Sequence, residues 1–99
     1  MPVPYQGKAP AAATATSREA EQLVTDVYVM LARVSYTREN LAVAEELTRK
    51  ATELASGSAR AWAARARVQA AYIQRTWDVS EKRRQDGQAF ATRALSLDA

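Results

Sequence analysis

Tyr28-Val29-Met30-Leu31-Ala32-Arg33-Val34 is echoed 34 positions later by Trp62-Ala63-Ala64-Arg65-Ala66-Arg67-Val68. The echo pairs Tyr28 with Trp62, Ala32 with Ala66, Arg33 with Arg67 and Val34 with Val68. A fixed period of this size, built from residues that favour helix, marks a stacked supersecondary unit that cannot bury its own apolar face and leans on its neighbour. The chain therefore reads as an all-α array of antiparallel helix-turn-helix units, with a binding surface as its first expected use.

Helix signals on either side of the echo divide the sequence into four segments. Thr16 with Glu19 three residues on fits a capping box and predicts a helix over 17–35, with Leu23, Val27, Met30, Leu31 and Val34 on one stripe. Thr37 caps a second helix over 38–55, which presents Leu41, Ala44, Leu47, Ala51 and Leu54 and stops before Gly57. Ser58 opens a third over 59–75, where Ala59, Trp62, Ala63, Ala66, Ala70, Ile73 and Trp77 recur at helical spacing. Ser80 opens a fourth over 81–97, with Ala89, Phe90, Ala94 and Leu97 inward. Short connections make consecutive helices antiparallel. Ahead of them, residues 1–16 hold all three prolines and an alanine-threonine run, and read as a linker or tail.

Composition sets bounds on the chemistry. At 99 residues the chain is one small domain, and its 47% apolar content leans on alanine, which favours helix but buries little area. With no cysteine and no histidine, disulfides, the usual zinc ligand sets and Cys-His or Ser-His catalysis are excluded. The glycines Gly7, Gly57 and Gly87 are isolated, so no phosphate-binding loop is present. Carboxylates such as Glu19/Glu21, Glu45/Glu46 and Glu53 have basic residues three or four positions away, the pattern of surface pairing. No apolar run suggests a signal peptide or a membrane span, so a cytoplasmic, non-catalytic protein without cofactor or metal is expected.

The arrangement resembles the tetratricopeptide repeat over residues 25–99, with unit one at 25–58 and unit two at 59–99. Tyr28, Ala32, Ala44, Ala51 and Ser56 occupy the family's motif places in the first unit, and Trp62, Ala66, Gly87, Ala94 and Ala99 in the second. Both repeat-ending prolines are missing, and Arg65 and Gln69 stand where an apolar residue and an aromatic are usual. Lys50-Ala51-Thr52-Glu53-Leu54 aligns with Arg93-Ala94-Leu95-Ser96-Leu97 at an offset of 43, which places a nine-residue insertion near 74–86. The resemblance, closest in style to repeat segments of bacterial multi-domain proteins, implies a TPR-like α-α superhelix that serves as a scaffold or protein-binding module.

The resemblance also implies a concave groove for an extended peptide. Val29, Arg33, Ala63, Arg67 and Ala70 would face it, with Asp26 and Arg60 at its edge. Three arginines there suit an acidic or carboxylate-bearing peptide, since guanidinium groups grip carboxylates bidentately. The same arginines also read as solvated helix charges with stems lying on alanines. Tyr28 and Trp62 read as packing residues, while Tyr36 and Tyr72, at helix ends, are expected to be half-exposed contacts.

Two further surfaces remain as expectations. Trp77 with Arg75, Lys82, Arg83 and Arg84 in the 74–86 segment combines an aromatic with basic residues, one ingredient of nucleic-acid binding, although Asp78, Glu81 and Asp86 interrupt it and the net charge is only +3. A solvated helix start and extended loop accounts for the same residues, which sets nucleic acid second to a protein partner. Phe90, Leu95 and Leu97 lie on the outer face of the last helix pair, which predicts a cover from further repeats or from a second copy in a homodimer.

Overall fold

The computed structural model describes residues 11–98. Four helices fill most of that span: α1 Ala11–Leu31, α2 Arg38–Leu54, α3 Ala59–Gln74 and α4 Glu81–Leu97. The fold is all-α, and no strand occurs among the described residues. Consecutive helices pack as antiparallel neighbours, α1 also touches α3, and α4 lies directly against α3 alone, reaching α2 only through the Arg83 side chain. None of these helices is long and apolar enough to cross a membrane.

Three of the four helix starts are built by the expected caps. The Thr37 side chain accepts from the Asn40 amide at 3.0 Å, and the Thr37 amide donates to the Asn40 side chain at 3.0 Å, closing a capping box. Ser58 and Ser80 accept from the amides of Ala61 and Arg83. The first helix departs from expectation, because it begins at Ala11 rather than Ser17. Residues 11–16, read as linker, are four alanines and two threonines, and alanine propensity carries the helix backwards past the proposed Thr16 cap. Residues 1–10 of that segment lie outside the described residues. At its other end α1 stops at Leu31, four residues early, in a tightened turn where the Arg33 amide donates to the Met30 carbonyl and the Tyr36 amide to the Arg33 carbonyl. This turn delivers the Tyr36 ring into the core.

α3 ends in a Schellman turn: the Thr76 amide donates to the Ile73 carbonyl at 2.9 Å and the Trp77 amide to the Tyr72 carbonyl at 3.0 Å. The residue in the left-handed position is Thr76, at φ 56°, where glycine is the usual occupant. The turn folds Trp77 back onto Tyr36, edge to face at 5.9 Å between ring centroids. Arg75 stacks 4.0 Å from the Tyr36 centroid and donates to the Val34 carbonyl at 2.9 Å, while Arg38 donates to the Trp77 carbonyl. The two turns are thereby locked to each other.

The core is thin and lies between the first three helices. One cluster joins Val27, Tyr36, Leu41, Ala44, Val68, Ala71 and Tyr72; a second joins Ala20, Val24, Ala51, Ala61 and Ala64. In α4 only Ala94 is buried. Tyr36 and Tyr72 are thus core residues and not half-exposed contacts, because a ring at a helix end fills the gap between turns.

The structural period is 43 and not 34. α2 opens at Arg38 and α4 at Glu81, 43 positions later, and they close at Leu54 and Leu97, again 43 apart. α1 and α3 end at Leu31 and Gln74, the same distance, and the turns 32–37 and 75–80 are equally long. The segment 74–86 therefore contains no insertion relative to the first hairpin. The sequence echo pairs residues that are not structural equivalents: Val68 is fully buried, whereas Val34 is 88% exposed, because α1 has already ended.

Candidate functional site

A groove of about 810 Å³ opens on the surface of α3 and α4. Its floor is Ala63, Ala66, Ala70 and Ile73 of α3 with Gly87 and Ala91 of α4; Leu31, Ala32, Val34 and Tyr36 close one end. The helical spacing of 63, 66, 70 and 73 puts these side chains on one face of α3, but not on the face that α1 and α2 cover. The buried face of α3 is Ala61, Ala64, Val68, Gln69, Ala71 and Tyr72. The groove floor is thus a second apolar stripe of α3, and Ala63 and Ala70 are exposed.

Arg33, Arg67, Arg75 and Arg84 stand around this floor with Gln74 and Gln88, and no carboxylate lines it. Arg75 is spent on the turn that holds Tyr36. Arg33, Arg67 and Arg84 form no ion pair among the described residues. Elsewhere carboxylates do meet arginine and lysine: Arg49 meets Glu46 and Glu53, Arg60 meets Glu21, Lys50 meets Glu19 and Lys82 meets Asp86. The groove thus gathers three guanidinium groups without an ion pair among the described residues around one apolar floor. Such groups bind a carboxylate more strongly than they would in open water, because the floor lowers the local dielectric.

Four of the six expected groove residues, Arg33, Ala63, Arg67 and Ala70, meet here. Val29 does not; it is 55% exposed on α1, away from the lining. Arg60 is also outside, paired with Glu21 and lying 5.6 Å from the Tyr28 ring centroid. Arg84, read from sequence as part of a basic loop, belongs to the groove because α4 starts at Glu81 and turns that residue towards α3.

The rest of the Trp77 set disperses. Trp77 is half-buried against the core and braces Tyr36. Lys82 is paired with Asp86. Arg83 is 17% exposed and holds α2, α3 and the second turn together. Its guanidinium donates to Glu45 at 2.7 Å, to Gln69 at 2.8 Å and to Asp78 at 3.1 Å, and it covers the Tyr72 ring at 3.8 Å. Burial pulls the Arg83 pKa down, but the Glu45 and Asp78 carboxylates outweigh it and the net direction is upward. Burial, then the Glu45 charge, raises the Tyr72 phenol. Hydrogen bonds from Ser80, backbone first, with help from Arg83, bring Asp78 down to about 2.

Phe90, Leu95 and Leu97 do not form a single apolar patch. Phe90 packs on Trp62 at 5.8 Å under the Arg65 guanidinium, 4.2 Å from the ring centroid. Leu97 is half-buried, and only Leu95 stands out, at 74% exposure. Among the described residues no group of three His, Cys, Asp or Glu is gathered as a metal site. No family model, curated protein or solved structure matches the chain.

Proposed function

We propose that the chain is a non-catalytic helical module for protein-protein contact, and that its groove receives an acidic segment of another protein. The observation that carries this reading is the set Arg33, Arg67 and Arg84, without an ion pair among the described residues and around an apolar floor that no described carboxylate lines. Apolar floor and guanidinium rim together fit a segment that alternates apolar anchors with carboxylates, the combination that gives affinity and selectivity at one site. Nucleic acid has less support, since Lys82 and Arg83 of the basic run are neutralised by Asp86, Glu45 and Asp78 and Trp77 is held on Tyr36.

Fluorescence anisotropy with synthetic peptides tests the reading. Peptides of alternating leucine and glutamate are compared with glutamine counterparts, and the chain carrying Arg67→Glu and Arg84→Glu with one carrying Arg93→Glu outside the groove. Acidic peptides are expected to bind, glutamine peptides not to, and the groove reversal alone to abolish binding. Equal binding of both peptide sets, or a groove reversal without effect, sinks the reading.

A further inference from the structure

The 43-residue period identifies what the groove is. Shifted back by one period, Ala66 and Ile73 of the groove floor become the half-buried Leu23 and Met30. Six further lining residues, Ala63, Arg67 and Ala70 of α3 with Arg84, Gly87 and Ala91 of α4, become Ala20, Val24 and Val27 of α1 with Leu41, Ala44 and Thr48 of α2. All six of those earlier residues are buried. Five of them belong to the two core clusters, and α3 supplies side chains to both, beside Tyr36 in one and Ala51 in the other. The groove is therefore the second copy of the face on which α3 sits, and in the second copy no described helix covers it.

We infer that the partner segment enters this groove as an α-helix, seated on the α3–α4 hairpin as α3 is seated on the α1–α2 hairpin. The inference rests on the proposed protein-binding role and adds the conformation and spacing of what is bound. Along α3 the floor runs from Ala63 to Gln74, about 16 Å or three helical turns. Its small side chains let a second helix axis approach closely.

The two copies of the face differ where it matters for selectivity. Val24 becomes Arg67 and Leu41 becomes Arg84. In the first copy Val24 shares a cluster with Ala61 and Ala64 of α3, and Leu41 shares the other with Val68, Ala71 and Tyr72, two turns further along. The occupant of the second copy thus carries carboxylates at two places about two turns apart, one for each arginine, with apolar residues between them. A helix satisfies its own backbone and needs only those side chains. An extended segment would instead need hydrogen bonds from the groove's carboxamides, Gln74 and Gln88.

The test uses the full chain and a peptide of residues 59–74 carrying Ala64→Glu and Ala71→Glu, with Arg60→Gln, Arg65→Gln and Arg67→Gln. A second peptide adds Val68→Pro, which breaks the helix and keeps the charge. The first peptide is expected to bind, to gain helical circular dichroism, and to shift the NMR signals of Ala63, Ala70 and Ala91. The proline peptide is expected to bind on the order of a hundredfold more weakly. If the proline peptide binds equally well, or if alternating leucine-glutamate peptides bind while the helical one does not, the helix inference falls and the protein-binding reading stands. If no acidic peptide binds, both fall. A concentration-dependent dimer that Arg67→Glu with Arg84→Glu dissolves would place a second copy in the seat and overturn the partner helix.

Discussion

Arg83 is the residue whose side-chain chemistry is least replaceable locally. Arg83→Ala would leave Gln69, which is 2% exposed, and the carboxylates of Glu45 and Asp78 without their shared donor. Unsatisfied acceptors in such a position cost about 1–3 kcal/mol, to be read as a lower midpoint in urea with an unchanged slope. Thr76 runs the other way. A β-branched residue at φ 56° carries a steric penalty that glycine lacks, so Thr76→Gly is expected to raise stability by about 0.5–1 kcal/mol and the melting temperature by about 3–6 °C. Asp78 gives the acid limb of stability. Its folded pKa, about 2, lies below the ordinary 3.8, so its contribution is complete above about pH 4 and is lost as pH falls towards 2. Asp78→Asn should flatten the stability profile over that window, and an unchanged acid limb would show that other carboxylates set it.

At the scale of the helix, starts were more legible than faces. Thr37, Ser58 and Ser80 cap the helices that the sequence assigns them, since a cap is a local hydrogen bond between residues three apart. Thr37→Ala is expected to cost about 1 kcal/mol, seen as faster hydrogen exchange in the first turn of α2. Which stripe of a helix is covered is not local. On α3 the sequence offers two apolar faces of the same spacing, Ala63, Ala66, Ala70 and Ile73 against Ala61, Ala64, Val68 and Ala71, and the second is the one that α1 and α2 bury. Alanine is small enough for either face to serve, so neighbours decide. The end of α4 illustrates the same point, because Leu95 is exposed while its one-period counterpart Thr52 is buried and accepts a hydrogen bond from Arg65.

For the molecule as a whole, burial is uneven in a way that orders its stability. Leu41 is fully buried in the cluster that ties α1, α2 and α3, and Leu41→Ala is expected to cost about 2–5 kcal/mol, a large part of the ~5–15 kcal/mol typical of a domain. α4, with Ala94 as its single buried residue and α3 as its single neighbouring helix, should exchange its amides before α2 and α3 do. Equal protection in all four helices would show that α4 is held by more than the packing seen here. That asymmetry has a counterpart in function, because the hairpin with the least cover is the one that presents the groove. The amino-acid sequence by itself determined the all-α class, four helices and three of their caps, since each depends on residue type and spacing within a turn or two. It misplaced the period, because the 34-residue echo matches residue types in two helices that end in different registers. Only the tertiary structure decided that the repeat is 43 residues long, that Tyr36 and Tyr72 are core, and that Arg84 shares a groove with Arg33 and Arg67. The physical reason is that caps are satisfied within one helix, whereas a groove exists only where helices distant in sequence leave a face uncovered.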